Sequence, residues 1–212
     1  TFNKCLAAFS IFLASLAQVS ISHAQAPAAV ANTPDGLVKF VVEDVMNTIK
    51  ADKAIQSGDL RKINALVDQK ILPYSDFQKT TRLSMGRNWS KATPPQQALI
   101  TQEFKTLLIR IYGGALAQVK DQKVQYKPFR GAADDTDVVV RTLVVGKGEP
   151  IQLDYRLEKT AAGWKVYDIN ILGAWLVESY RNQFNDQISK GGVEGLIQFL
   201  QQRNNSLANA KS

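Results

Sequence analysis

The segment from Pro34 to Leu72 carries apolar residues at helical spacing. After Pro34, apolar side chains such as Leu37, Val41 and Val45 recur every three or four residues between polar ones, as an amphipathic helix requires. The same spacing predicts a second helix from about Asp59 to Leu72. This segment is therefore predicted to form helices that each have one apolar face.

Two capping signals mark the start of later helices. Ser75 with Gln78 three residues further on matches a capping box and predicts the start of a third, shorter helix. Thr93 is predicted to cap the longest helix, because two prolines fit the first turn after it and Gln96 completes another capping box.

After Asp121 the hydrophobic period changes from 3.6 residues to 2, which indicates β-strands. The predicted strands are about Lys123 to Phe129, Asp137 to Val145, Ile151 to Glu158 and Gly163 to Ile171. Because the connections between the last three are short, we expect these strands to form an antiparallel meander.

Two further helices are predicted to close the folded part, from about Ala174 to Ser189 and from Val193 to Arg203, separated by Gly191 and Gly192. The predicted order of elements, in which helices precede and follow an antiparallel sheet, is typical of an α+β fold. We expect a twisted antiparallel four-stranded sheet with a layer of helices on one face.

The N-terminal residues have the layout of a secretory signal peptide. Lys4 precedes an apolar stretch of about a dozen residues, and the small-x-small site Ser22-His23-Ala24 follows it. The stretch is shorter than the roughly 20 residues that a membrane-spanning helix needs, so we expect an exported, soluble protein. The predicted division is a signal peptide at residues 1–24, a flexible leader at 25–33, a single folded domain at 34–204 and a disordered tail at 205–212.

Cysteine and histidine are confined to the predicted signal peptide. The only cysteine is Cys5 and the only histidine is His23. A mature chain without them excludes disulfides, Cys or His zinc sites, Ser-His-Asp triads and Cys-His pairs. The sequence therefore predicts no metal site, no cofactor and no conventional nucleophilic hydrolase.

The net charge of the chain is +7, with 26 Lys and Arg against 19 Asp and Glu. This excess favours acidic partners, such as an anionic membrane surface or an acidic protein face. The basic residues are scattered rather than clustered, so nucleic acid is not an expected partner. A merely solvated surface is the simpler explanation of the charge.

Asp168 is the best remaining acid-base candidate. On the predicted strand 163–171 it shares a face with Trp164 and Val166, so we expect it to point into an apolar interior, where burial would raise its pKa. The structural alternative is a buried aspartate held by backbone donors or by an arginine.

The predicted strands share a continuous apolar face that five amphipathic helices compete to cover. Such a face is either part of a filled core or the wall of a ligand cavity from which the helices stand off. Composition does not separate these two interpretations.

Several runs along the chain resemble the MlaC family, also called the toluene-tolerance or ABC-transporter auxiliary family. The runs are Leu72-Pro73-Tyr74-Ser75-Asp76-Phe77, Arg82-Leu83-Ser84-Met85-Gly86-Arg87-Asn88-Trp89, Pro94-Pro95-Gln96-Gln97, Gly163-Trp164-Lys165-Val166-Tyr167-Asp168-Ile169, Tyr180-Arg181-Asn182-Gln183-Phe184 and Gly195-Leu196-Ile197. They cover essentially the whole predicted domain in the family's order. The run Leu172-Gly173-Ala174-Trp175 departs from the family's usual Gly-Val-Ser type and leaves open how the next helix starts.

The resemblance implies a periplasmic carrier of glycerophospholipid with a nuclear-transport-factor-like fold and an apolar cavity between sheet and helices. It implies two partners, an outer-membrane lipoprotein-porin complex and an inner-membrane MCE-domain protein of an ABC transporter, and a role in outer-membrane lipid asymmetry. No catalytic residue is then required.

We place the acyl chains of such a lipid against apolar residues of the sheet and of two helices. The candidate lining is Met46, Leu108, Ile111, Tyr112, Val138, Val140, Leu153, Tyr155, Trp164 and Val166. The candidates for contact with the phosphate of the head group are Arg82, Arg87 and Arg141.

Two other classes of function stay open at this point. One is a cavity-containing α+β enzyme that acts on a hydrophobic substrate, with Asp168 or Tyr155 as acid or base. The other is an interaction module with a filled core that binds a partner through exposed helices.

Overall fold

The computed structural model describes residues 32–210, so the predicted signal peptide and most of the predicted leader lie outside the described residues. The helices are α1 Pro34–Ala51, α2 Lys53–Gln56, α3 Leu60–Leu66, α4 Phe77–Met85, α5 Pro94–Ala117 and α6 Leu176–Asn209. The strands are β1 Lys123–Tyr126, β2 Asp137–Val145, β3 Ile151–Thr160, β4 Gly163–Ile171 and β5 Ala174–Trp175. The predicted α+β class is confirmed.

Side-chain caps fix where the helices begin. The hydroxyl of Thr93 accepts a hydrogen bond from the backbone N–H of Gln96, and the Gln96 side chain returns to the Thr93 backbone N–H, which confirms this predicted capping box. The predicted cap at Ser75 is wrong by one residue. Asp76 accepts from the backbone N–H of Lys79 at 2.8 Å, while the Ser75 hydroxyl donates to the carbonyl of Ile71.

The second predicted helix is shorter than its apolar pattern suggests. Regular α-helix ends at Leu66 and continues as a π-helical turn, Val67–Ile71, and a 3₁₀ turn, Leu72–Tyr74. Pro73 has no backbone N–H to extend the helical hydrogen bonds, so the helical segment cannot continue regularly past this residue.

The sheet has five strands in the order β1-β2-β3-β4-β5, and every neighbouring pair is antiparallel. The predicted count of four is therefore too low. The strand that was missed, β5, has only two residues, too few for an alternating pattern to appear in the sequence.

A tight turn joins β4 to β5. Leu172 and Gly173 both have positive φ, of 53° and 91°, as in a type I′ turn. Leu172 is the only non-glycine residue with positive φ among residues 32–210. The left-handed region costs an L-residue roughly 1–2 kcal/mol. The run that departs from the family pattern thus forms a hairpin that leads directly into α6.

Gly191 and Gly192 break α6, as the sequence predicted. Gly192 has φ 64° and ψ −162°, so the two helical halves meet at a kink. Beyond the kink the helix runs to Asn209, where the sequence predicted a disordered tail from residue 205. The polar residues after Asn204 therefore continue a helix whose apolar side is already packed.

A β-bulge changes the two faces of β4. Arg156 of β3 lies opposite Asp168, whereas its neighbour Leu157 lies opposite Val166, so Tyr167 is an extra residue in β4. Asp168 is consequently on the face of the sheet opposite to Val166. The predicted placement of Asp168 beside Trp164 and Val166 is wrong.

The register of the strands defines the two faces. We call the apolar one the inner face; it consists of Val124, Tyr126, Val138, Val140, Thr142, Val144, Ile151, Leu153, Tyr155, Leu157, Trp164, Val166, Ile169 and Ile171. The outer face carries polar residues such as Arg141, Asp154 and Arg156. The strand residues that pack in the apolar clusters with the helices all lie on the inner face.

The buried residues form three clusters instead of one. In the sheet cluster, Leu37 and Val38 of α1 pack against Val138, Val140, Leu157 and Trp164. A second cluster joins α1, α2, α3 and α5, and a third joins α4, α5 and α6. Because the core is divided, some apolar side chains belong to none of the three clusters.

No helix within residues 32–210 is long and apolar enough to cross a membrane.

Removal of the capping box at Thr93 should lower the stability of the protein measurably. Thr93→Ala removes the acceptor for an orphan backbone N–H and should lower the free energy of unfolding by about 1 kcal/mol, measured by urea denaturation. Thr106→Ala within the same helix is the matched control, because that hydroxyl only donates to the carbonyl of Gln102. Equal losses in the two variants would contradict a specific role of the cap.

Candidate functional site

Along β3, the cover over the inner face decreases from the β3–β4 turn to the start of the strand. Val138, Leu157 and Trp164 are buried under α1 at the end formed by the β3–β4 turn. At the opposite end Leu153 is half-buried and Ile151 is 42% exposed. The inner face is therefore an apolar wall whose least covered part is the start of β3.

The helix residues that the sequence predicted as lining are also incompletely buried. Met46 of α1 and Leu108 and Tyr112 of α5 are half-buried, and Ile111 is 40% exposed. Met46 and Leu153 belong to none of the three core clusters, although both carry large apolar side chains. Large apolar side chains that the core leaves partly accessible, such as these two, are suited to contact an apolar ligand.

The inner-face tyrosines lie in a poorly solvated environment. Burial raises the pKa of the Tyr155 hydroxyl to about 12, and burial together with the nearby Glu43 raises the pKa of Tyr126 to about 12. Tyr155 nevertheless remains only half-buried as a residue. The Tyr126 hydroxyl is inaccessible and has no hydrogen-bond partner.

The structure divides the sequence-predicted lining into two groups. Val138, Val140 and Trp164 are buried in the sheet cluster, and Tyr155 and Val166 pack at its margin. The remaining candidates lie where the cover is incomplete or on the adjoining helices: Met46, Leu108, Ile111, Tyr112 and Leu153.

Sequence reasoning missed several half-buried residues of the wall. Ile169 and Ile171 lie on the inner face because the bulge at Tyr167 reverses the alternation that the sequence shows. Val124 lies directly opposite Val144 in the β1–β2 pair. Only the pairing of the strands places these residues on the wall.

The three arginines predicted near a head group are all exposed. Arg82 lies on α4, and Arg87 lies in the 3₁₀ turn that follows it. Arg141 is on the outer face, so the structure does not bring it to the apolar wall.

Two surface clefts lie away from the inner face. The larger, of about 490 Å³, is formed by the start of α4 and the β3–β4 hairpin, and its lining is Leu72, Ser75, Asp76, Phe77, Gln78, Thr160 and Lys165. The smaller, of about 180 Å³, lies between α5 and α6, and its lining is Leu107, Ile111, Tyr112, Ser179, Tyr180, Gln183 and Arg203. Ile111 and Tyr112 are thus the only predicted lining residues in either cleft.

Asp168 is held by three hydrogen bonds. Its carboxylate accepts from the backbone N–H groups of Ile169 and Val177 at 2.9 and 3.0 Å, and from the guanidinium of Arg156 at 3.1 Å. Burial raises the pKa of Asp168, and the backbone donors and Arg156 oppose that shift. Asp168 is thus a buried aspartate held by backbone donors and an arginine, which is the structural alternative to an acid-base role. Its hydrogen bond from Val177 connects the start of α6 to β4.

No group of three or more His, Cys, Asp or Glu side chains within residues 32–210 could hold a metal ion.

Residues 39–202 match the family model described as MlaC protein. The chain belongs to the MlaC family. The resemblance of its motifs is therefore confirmed along nearly the whole described structure.

Curated relatives of this MlaC-family chain span most of its length. It is 26% identical over 164 residues to the toluene tolerance protein ttg2D of Pseudomonas putida, covering 76% of each chain. It is 23% identical over 179 residues to the intermembrane phospholipid transport system binding protein MlaC of Haemophilus influenzae, covering 82% of this chain and 84% of the relative.

A solved structure shows the same fold at higher sequence identity. It is a phospholipid-binding protein from Ralstonia solanacearum in complex with a phospholipid, and it is 60% identical to this chain with a TM-score of 0.81. The similarity covers 82% of this chain and 98% of that one.

The anchoring role of Asp168 gives a prediction. Asp168→Asn removes a charged acceptor from the Arg156 and Val177 contacts and should lower the free energy of unfolding by about 2 kcal/mol, measured by urea denaturation. Asp134→Asn, at an exposed loop position, is the matched control and should be neutral. An Asp168→Asn variant as stable as its parent would contradict the anchoring role.

Proposed function

We propose that this protein carries one glycerophospholipid across the aqueous periplasm, with the acyl chains against the inner face. The observation that carries the proposal is the incompletely covered apolar wall, on which Leu153 is half-buried and Ile151 is exposed. The phospholipid complex of the 60% identical relative supports the same ligand class.

The energetics of acyl chains explain why such a wall is needed. Two chains contain on the order of 30 methylenes, and at about 0.8 kcal/mol each their exposure to water would cost roughly 20–25 kcal/mol. A carrier avoids this cost by offering the chains an apolar surface. Because a bilayer offers a similar environment, exchange between membrane and carrier can be nearly neutral in free energy.

The direction of transport must then come from other components. In this proposal the protein exchanges lipid with an outer-membrane lipoprotein-porin complex and with an inner-membrane MCE-domain protein of an ABC transporter, and so maintains outer-membrane lipid asymmetry. The relative from Haemophilus influenzae is named as the binding protein of an intermembrane phospholipid transport system, which supports such an assignment.

The surroundings of Asp168 favour a carrier over an enzyme. An acid-base residue must reach the reacting atoms of a substrate. Asp168 lies on the outer face, its side chain has no exposed surface, and its oxygens already accept bonds from Arg156, Ile169 and Val177. In the proposed function it holds the fold together and takes no part in chemistry.

A charge on the accessible wall should abolish lipid binding. Leu153→Arg places a cation where the acyl chains would lie, and burying an unpaired charge against them is costly. We expect purified Leu153→Arg protein to carry almost no phospholipid, measured as organic phosphorus per chain, while circular dichroism shows a folded domain.

Gln152→Arg is the matched control, because this neighbouring residue is exposed on the outer face of the same strand. It should keep the parental amount of phospholipid. If the two variants lose lipid equally, or if Leu153→Arg keeps it, the inner face is not the binding surface. Leu153→Trp, which fills the space with an apolar ring, should lower lipid content without adding charge.

A further inference from the structure

The less covered end of the inner face lies beside three connections, which are residues 118–122 before β1, the β2–β3 loop at residues 146–150 and the β4–β5 turn at Leu172–Gly173. We call this end of the sheet the mouth. Inner-face residues next to it, such as Val144 and Ile171, are half-buried, whereas those next to the β3–β4 turn are buried under α1.

Two large apolar side chains are exposed at the mouth. Leu172 is 69% exposed, and Ile151 at the start of β3 is exposed as well. The backbone N–H of Leu172 donates to the carbonyl of Gln152 at 3.1 Å, which holds the turn beside the start of β3. Ile151 and Leu172 are two of only three exposed large apolar side chains within residues 32–210.

The backbone conformation of Leu172 is also unusual for a leucine. A type I′ turn favours Asn or Gly at this position, because those residues adopt positive φ readily. A leucine there is unfavourable for the turn, and its exposed side chain contributes little to the core. Strain of this kind is concentrated at functional sites.

We propose that the mouth is where acyl chains enter and leave the inner face, and that Leu172 and Ile151 contact the chains as they pass. The inference rests on the proposed carriage of phospholipid and adds its route. An apolar rim that continues the apolar wall reduces the number of methylenes exposed to water during passage.

The alternative route lies at the other end of the sheet. The cleft of about 490 Å³ reaches the β3–β4 hairpin through Thr160, but it includes polar residues such as Asp76 and the outer-face Lys165. Buried Leu157 and Trp164, packed under α1, separate that end from the accessible part of the wall.

Position-specific quenching distinguishes the two routes. Leu172→Cys and Ala161→Cys place single thiols in exposed turns at opposite ends of the sheet, with Cys5 replaced by Ser wherever it is retained. Each variant is labelled with a fluorophore and loaded with phosphatidylcholine that carries a nitroxide near the carboxyl end of one acyl chain. We expect a several-fold loss of fluorescence at position 172 and little change at position 161.

Quenching at position 161 alone would overturn the proposed route, and so would quenching at neither position in protein that contains phospholipid by phosphorus assay. If neither variant nor the parent binds phospholipid at all, the proposed function fails together with the route. These outcomes separate the two proposals.

A rate measurement tests Leu172 itself. Leu172→Asn suits the positive φ and should keep both the fold and the lipid content. Transfer of phospholipid to acceptor vesicles of phosphatidylethanolamine and phosphatidylglycerol should slow several-fold. Ala161→Asn in the opposite turn is the matched control and should transfer at the parental rate. An unchanged rate in Leu172→Asn would exclude a role for this side chain.

Discussion

The extra residue in β4 is the constraint on which the two faces of the sheet depend. Without the bulge at Tyr167, the alternation of β4 would direct Asp168 and Asn170 toward the helices and would turn Ile169 and Ile171 outward. A carboxylate against acyl chains or core side chains would be costly unless it were paired. With the bulge, β4 adds apolar side chains to the inner face along its length, and Asp168 is free to anchor α6 from the outer side.

The same bulge shows what a single strand's sequence can and cannot predict. Strands β2 and β4 have the predicted bounds, because alternation and short connections mark them clearly. A bulge depends on how a strand pairs with its neighbour, so the sequence of β4 alone did not indicate that Asp168 changes face. The capping box at Thr93 was predictable because all its parts lie within four residues.

The sequence predicted an apolar face of the sheet, and the structure shows which part of that face the helices cover. Periodicity identified Val138, Val140 and Leu153 as residues of one face, and the register confirms this. Which of them α1 buries depends on where that helix lies across the sheet, and this is a long-range property. A carrier needs such unequal cover, because a fully filled core leaves no surface for a ligand and a bare sheet would leave the ligand in water.

Whether acyl chains lie on the accessible part of the inner face can be determined by NMR. Protein with labelled methyl groups and deuterium elsewhere would be loaded with a protonated phospholipid, and nuclear Overhauser effects from the chains to the methyls would be recorded. This placement predicts contacts to the methyls of Leu153 and Ile171 and none to those of Val139, which is on the outer face. Contacts confined to outer-face methyls, or to the cleft between α5 and α6, would contradict it.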